Sequence, residues 1–400
     1  RGLGRMGLAA LALALAACAS TPGREAPRGG AAATPERTAP DPATRSIATG
    51  PARVALLLPL GATADRVRGD AKAIENAARL ALTGPDGAAV RLSVHDTRGE
   101  PSVAEAAVRR ALADGAELII GPLFAGATRA VAGPAQAAGV PVLSFSTDTS
   151  AAGSGVWVTG FTPENEVARI MAYAAANQIT RIGVYAPDVP YGQAAMRGID
   201  RAAATAGVSI AVREVYPRSF QDIQRTAPGF VDRARAAGVD AVLIPDFGQG
   251  LTTATSFLDF AGLPQPGVRY LGLGQWESGS TLREPTILGG WFAGADTEAK
   301  QRFFAAYEAR YGVRPPFVAV LGYDAASVAA ELAREAARAP VDGPRFPAEA
   351  LTRGGGFEGA VGALALRPDG TTERGIAVLE VGNRVFNVLE PAPARFPAGS

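Results

Sequence analysis

Cysteine, histidine and lysine are almost missing from this chain. Its 400 residues hold one cysteine and one histidine, and only two lysines, Lys72 and Lys300. A single cysteine cannot form a disulfide within the chain, and a Cys/His zinc site lacks the ligands it needs. No Gly-Lys dipeptide occurs, so there is no Walker A loop, and neither G-x-S-x-G nor H-E-x-x-H is present. These gaps remove the common nucleophile and metal routes to catalysis, so no enzymatic activity and no cofactor are expected. A formal net charge of +1, with no basic run interleaved with aromatics, gives no reason to expect nucleic acid. Nearly all positive charge is arginine, which beside abundant alanine and glycine reads as a composition bias rather than phosphate binding. One G-x-G-x-x-G, Gly354 to Gly359, follows a polar stretch and precedes a strand, the wrong context for a dinucleotide loop. His95, at a strand end, has no nucleophile motif beside it and reads as a hydrogen-bonded core residue.

What the chain does have is clearest between Ala116 and Asp148. An apolar run, Leu118 to Ile120, ends in Gly121-Pro122. Helix spacing follows at Ala127, Val131 and Ala135, and a second apolar run, Val142 to Phe145, ends in Ser146, Thr147 and Asp148. Strand, amphipathic crossover and strand make a βαβ unit of a buried parallel sheet. Both polar ends lie at carboxyl ends of strands, the edge where open α/β sheets bind ligands.

The N-terminal part reads as export and tether. Arg1 and Arg5 flank an apolar run from Met6 to Ala17, too short to span a bilayer but suited to a signal peptide. It ends Leu15-Ala16-Ala17-Cys18, which resembles the bacterial lipobox, so residues 1–18 are expected to be a lipoprotein signal and Cys18 the lipidated residue. Ala19, in place of aspartate, implies an outer-membrane anchor. Residues 19–51, rich in Ala, Pro, Thr, Arg and Gly without an apolar face, are expected to be a disordered tether.

From Arg53 onward, strands and helices alternate in two runs of the same grammar. The first reaches Phe161, and the second begins at Thr162-Pro163-Glu164-Asn165-Glu166. Ser102 with Glu105 has the capping-box pattern. After these runs come one strand, Gly290 to Gly294, and two helices, Thr297 to Tyr311 and Phe317 to Ala339. Two alternating strands, Gly362 to Leu366 and Gly375 to Val381, are joined by Arg367-Pro-Asp-Gly-Thr371 and are expected to form a hairpin. These fragments need hosts. The simplest hosting makes residues 52–162 and 290–340 lobe 1, and residues 163–289 and 341–392 lobe 2. The fold expected is α/β, two doubly wound parallel-sheet lobes joined by three crossovers.

Leu58-Pro-Leu60, Ile120-Gly-Pro-Leu123, Gly139 to Ser144, Val184 to Gly192, Tyr323-Asp-Ala325 and Gly362 to Gly370 occur in that order. Together they resemble the type 1 periplasmic-binding fold and its branched-chain amino-acid-binding family. With the lipobox, the tether and the Gly274-Gln-Trp-Glu277 and Gly290-Trp-Phe-Ala293 segments, the chain looks most like penicillin-binding protein activators of alphaproteobacteria. The resemblance implies a periplasmic, outer-membrane-anchored lipoprotein whose partner is a peptidoglycan synthase, touching the membrane through its lipid alone. The alternative is the substrate-binding component of an ABC importer for an amino acid or similar solute.

The resemblance also implies an interlobe ligand cleft. Its positions fall on Arg68, Ala125, Ser146, Thr147, Asp148, Tyr191, Phe247, Gln275 and Trp276. Several depart from an amino-acid site. No hydroxyl follows Gly121-Pro122 before Thr128, Arg68 stands where an aromatic is implied, and the implied acid is replaced by Gly274-Gln275-Trp276 with Glu277 nearby. Asp148 reads equally as a helix cap, and Trp276 and Trp291 equally as packing at the lobe junction.

Overall fold

The computed structural model describes residues 44–47, 50–338 and 343–397. Cys18 and the expected leader lie outside the described residues, as does the tether up to residue 43. Strands β1 to β6 are Thr44–Ile47, Ala52–Leu58, Val90–Asp96, Leu118–Ile120, Val142–Ser144 and Val156–Val158. They form one sheet in the order β1-β3-β2-β4-β5-β6. Five of the strands run parallel, and β1 adds antiparallel to the outer edge of β3. The expectation of a tether to Pro51 therefore fails at Thr44–Ile47. Its Ala/Pro-rich surroundings hid a short strand that closes an otherwise open sheet edge.

Helices α1, α2 and α3 are Asp65–Ala81, Pro101–Ala113 and Ala125–Ala137. Helix α1 buries Ile74, Ala77 and Ala78, the face that 3.6-residue spacing predicts. Ser102 is not the cap of α2: the helix starts one residue earlier, at Pro101, which suits the first helical position because it needs no N–H partner.

The second sheet holds β7 Arg181–Pro187, β8 Ser209–Tyr216, β9 Ala241–Leu243, β10 Arg269–Gly272 and β11 Trp291–Gly294. Helices α4 Pro163–Ala176, α5 Pro190–Ala206, α6 Phe220–Ala236 and α7 Gly248–Phe260 flank it. Strand β11 pairs in parallel with β10, so Gly290–Gly294 belongs to this sheet and not to lobe 1. Three short 3₁₀ turns, instead of a long helix, connect β10 to β11. Without a helical period between them, the βαβ relationship left no trace in the sequence.

Helices α8 Thr297–Tyr311 and α9 Ala319–Arg338 return to the first lobe. Helix α9 lies against α1 so closely that a Cβ on Gly322 would stand 2.2 Å from the Ile74 carbonyl oxygen. Only glycine allows that approach. A short helix, α10 Ala348–Leu351, leads into a small third sheet of β12 Phe357–Gly359, β13 Gly362–Leu366 and β14 Thr372–Arg374. Phe346, Leu351, Phe357, Leu364 and Leu366 share a core with β2 to β4 and α9.

The hairpin turn at residues 367–371 is present, but it joins β13 to β14. The next strand, β15 Ala377–Val381, leaves to pair antiparallel with β11, and β16 Phe386–Glu390 adds to β15. The expected assignment of residues 341–392 to lobe 2 therefore fails up to residue 374. At Gly375 the chain crosses over, because the apolar β15 finds its buried place beside β11. Gly370, at φ +83, closes the turn, and a Cβ there would stand 2.1 Å from the Gly153 nitrogen. The turn can thus sit on β6, where Val158 N–H donates to the Gly370 carbonyl.

The chain passes between lobes three times, near residues 159–163, 295–296 and 375–376, and the first and third passages are stapled together. Arg374 Nε donates to the Thr159 carbonyl at 2.9 Å and its guanidinium covers the Phe161 ring at 4.1 Å. Asn165 donates to Thr372 O at 2.6 Å, and Arg169 to Ile376 O at 2.7 Å.

Candidate functional site

Strand order locates the site. In the first sheet β2 leads to β3 on one side and β3 leads back to β4 on the other, so the loops after β2 and β4 part company there. In the second, β7 leads to β8 and β8 back to β9, so the loops after β7 and β9 diverge. Such switch points open the crevices where doubly wound sheets take ligands.

The loop after β4 ends at Phe124, and Ala125 opens α3. That helix has no side-chain cap, so its first-turn N–H groups stay available. Ser144 and Thr128 share a buried hydroxyl contact at 2.7 Å behind it. Ser146 is buried and its oxygen accepts the Asp148 N–H at 3.0 Å, while Thr147 is exposed. Asp148 caps the 3₁₀ turn at Thr149–Ala151 and pairs with Arg129 at 3.0 Å. Its bond from the Ser150 hydroxyl, then Arg129, hold its carboxyl below the usual range. Arg68 is spent on its own loop: it donates to the Ala62 and Thr63 carbonyls at 2.7 and 2.8 Å and pairs with Asp65.

At the other switch point Tyr191 stands in the first turn of α5 and Phe247 caps α7. Their rings meet edge-on, 5.7 Å apart. Arg218 lies 4.3 Å over the Phe247 ring and bonds Asp246 at 2.7 Å. Asp246 is fully buried and also accepts the Tyr216 hydroxyl at 2.7 Å, while burial pushes that hydroxyl far above the ordinary phenol range. Gln275 is exposed, and its backbone lies against the Tyr191 hydroxyl. Tyr191, Phe247 and Gln275 are thus brought together.

Trp276 is not. It is fully buried, its Nε1 donates to the Ile244 carbonyl at 3.1 Å, and its ring packs on Phe292. A Cβ on Gly272 would stand 2.1 Å from that ring, so the indole fills space inside the second lobe instead of facing a cleft. Glu277 is engaged by Lys300.

Glu166 was missed by sequence reasoning. Its Oε2 accepts both the Tyr191 hydroxyl and the Gly274 N–H, each at 3.1 Å. Desolvation pushes the carboxyl up to about 7 against those two bonds. The only signal was an acid in the first turn of α4, which helix-dipole stabilisation already explains. Phe124 and Arg218 were missed as well, since neither belongs to a polar motif.

The described residues contain no group of three or more His, Cys, Asp or Glu placed to hold a metal. Among the described residues no helix is long and apolar enough to cross a membrane.

Comparisons with known proteins agree with this fold. A putative branched-chain amino acid ABC transporter protein from Rhodospirillum rubrum superposes with a TM-score of 0.71 at 20% identity, over 84% of this chain and 99% of that one. A substrate-binding protein from Desulfitobacterium hafniense, in complex with Leu, gives 0.59 at 21% identity, over 84% and 99%. A solute-binding protein from Rhodopseudomonas palustris, in complex with 3,4-dihydroxybenzoic acid, gives 0.56 at 21%, over 87% and 97%. No curated protein matches the chain in sequence. The family model described as periplasmic binding protein matches residues 51–384. Two lobes built on parallel sheets and a family match over most of the length lead to one conclusion: the chain belongs to the periplasmic binding protein family.

Proposed function

We propose that this protein is a periplasmic solute-binding protein, the substrate-binding component of an ABC importer, and not an enzyme. The observation that carries this reading is the Tyr191–Phe247 pair at the second switch point, fixed from behind by Glu166 and Arg218. A preformed aromatic wall with a few oriented polar groups is what a small-molecule site requires. On this reading the ligand contacts come from Ala125, Ser146 and Thr147 on one lobe and Tyr191, Phe247 and Gln275 on the other. Asp148 and Arg68 shape their own loops. The relatives found in complex with Leu and with 3,4-dihydroxybenzoic acid support a small organic ligand.

The second reading is a peptidoglycan synthase activator anchored through Cys18 at the outer membrane. One observation favours it: Phe220 and Phe260 are 57% and 88% exposed, beside Phe257, on α6 and α7. Exposed aromatic patches mark protein contacts. Deleting the gene separates the two. The import reading expects loss of uptake of one solute class with unchanged sensitivity to β-lactams. Normal uptake with raised β-lactam sensitivity would reverse the order.

A further inference from the structure

Strands β8 and β16 are the two outer strands of the second sheet, and no strand among the described residues pairs beyond either. An outer strand shows a row of N–H and C=O groups that can take up another strand, and charge along it discourages that. β8 is guarded in this way. Arg213 pairs with Asp200 and Glu214 with Arg233, so ion pairs flank the strand.

β16 has no such guard. Its sequence is Phe386-Asn-Val-Leu-Glu390, with one charge, at its last position. Val385, Val388 and Leu389 are 50%, 41% and 38% exposed, three large apolar side chains within five residues. Phe386 packs inward on Phe292. Phe386 and Val388 pair with Val381 and Leu379, so Val388 carries that core face out to the sheet's edge. The bulge opposite Val378 and Leu379 lies toward the strand's end and leaves Phe386 to Val388 regular.

The strand is complementary to itself. Antiparallel pairing of two copies about Asn387 sets Phe386 opposite Val388 of the other copy, and Val385 opposite Leu389. It also brings Arg384, exposed and in no ion pair among the described residues, opposite Glu390. Glu390 gives Oε1 to Arg169 at 2.7 Å, which leaves Oε2 for a second cation. A two-fold axis makes each of these contacts twice.

We propose that a second copy of this chain pairs with β16 across a two-fold axis at Asn387, joining two second sheets into one continuous sheet. This surface lies at the other end of the sheet from the β7–β9 switch point, so the inference stands apart from the solute-binding reading.

Sedimentation equilibrium of the full chain tests it. One strand pair makes a small interface, so the expected result is a monomer–dimer equilibrium with a dissociation constant of about 10–100 µM. Val388→Lys, with its melting checked, sets a cation of each copy beside Phe386 of the other. It should raise that constant at least about tenfold. Arg384→Glu and Glu390→Arg, both at exposed positions, should each raise it about threefold, and the double reversal should recover the parent value. If Val388→Lys does not melt cooperatively, the charge reversals carry the test alone. A chain that stays monomeric at about 200 µM overturns the proposal. So does association that a folded Val388→Lys variant leaves unchanged. Growth beyond dimers overturns it too, because a two-fold strand pair closes at two copies. Charge reversals that do not rescue each other overturn the pairing about Asn387.

Discussion

Arg374 and Asp324 form a buried ion pair, with Nη1 2.6 Å from Oδ2, at the point where the chain crosses between lobes. Asp324 also accepts the Ala360 N–H at 2.7 Å, and Arg374 reaches the Thr159 carbonyl. The pair therefore ties α9, the small sheet and the first crossover into one joint. Removing one partner leaves the other charge buried and alone. Asp324→Asn or Arg374→Met should each cost about 3–5 kcal/mol in denaturant melts, and the double variant should recover part of that loss. Additive losses would show that the two residues act separately.

Glu166 makes stability depend on pH with a defined sign. Below its ordinary value of 4.5 both folded and unfolded chains hold the proton. Between there and about 7 the unfolded chain releases it while the folded chain keeps it. Its contribution to stability therefore falls as pH rises through this window and is flat above it. Glu166→Gln should match the parent at pH 4 and exceed it at pH 8 by about 2 kcal/mol, a figure reduced for partial exposure. Chemical denaturation of both proteins across that range measures the difference, and a gap that widens toward acid would contradict the assignment.

Trp276→Phe separates core from cleft. Losing the Ile244 bond and part of a fully buried ring should cost about 1–3 kcal/mol. Solute affinity should stay within about twofold once the variant is folded. A large affinity loss with little loss of stability would return Trp276 to the ligand surface.

What was legible in the sequence was local. Strands such as Val54 to Leu58 are apolar runs bounded by turn residues, and α1 shows its buried face at helical spacing, so both follow from short-range pattern. What was hidden depends on partners far along the chain. Trp291–Gly294 looks the same whichever sheet hosts it, and its pairing with Leu271 and with β15 is a tertiary choice. The same holds for the site. Tyr191 and Phe247 were named through the resemblance to amino-acid-binding proteins, and the structure sets their rings edge-on. Glu166 was not named, because its role depends on contacts with Tyr191 and Gly274, the latter more than one hundred residues away.

The central claim is that the two switch points together hold a small solute. The most direct measurement is titration calorimetry of the parent and of a Tyr191→Ala/Phe247→Ala double variant against a panel of small carboxylates and amino acids. The account predicts one saturable solute site per chain in the parent, lost in a variant that still melts cooperatively. Undiminished binding in that variant, or a parent that binds no solute in the panel, would contradict it.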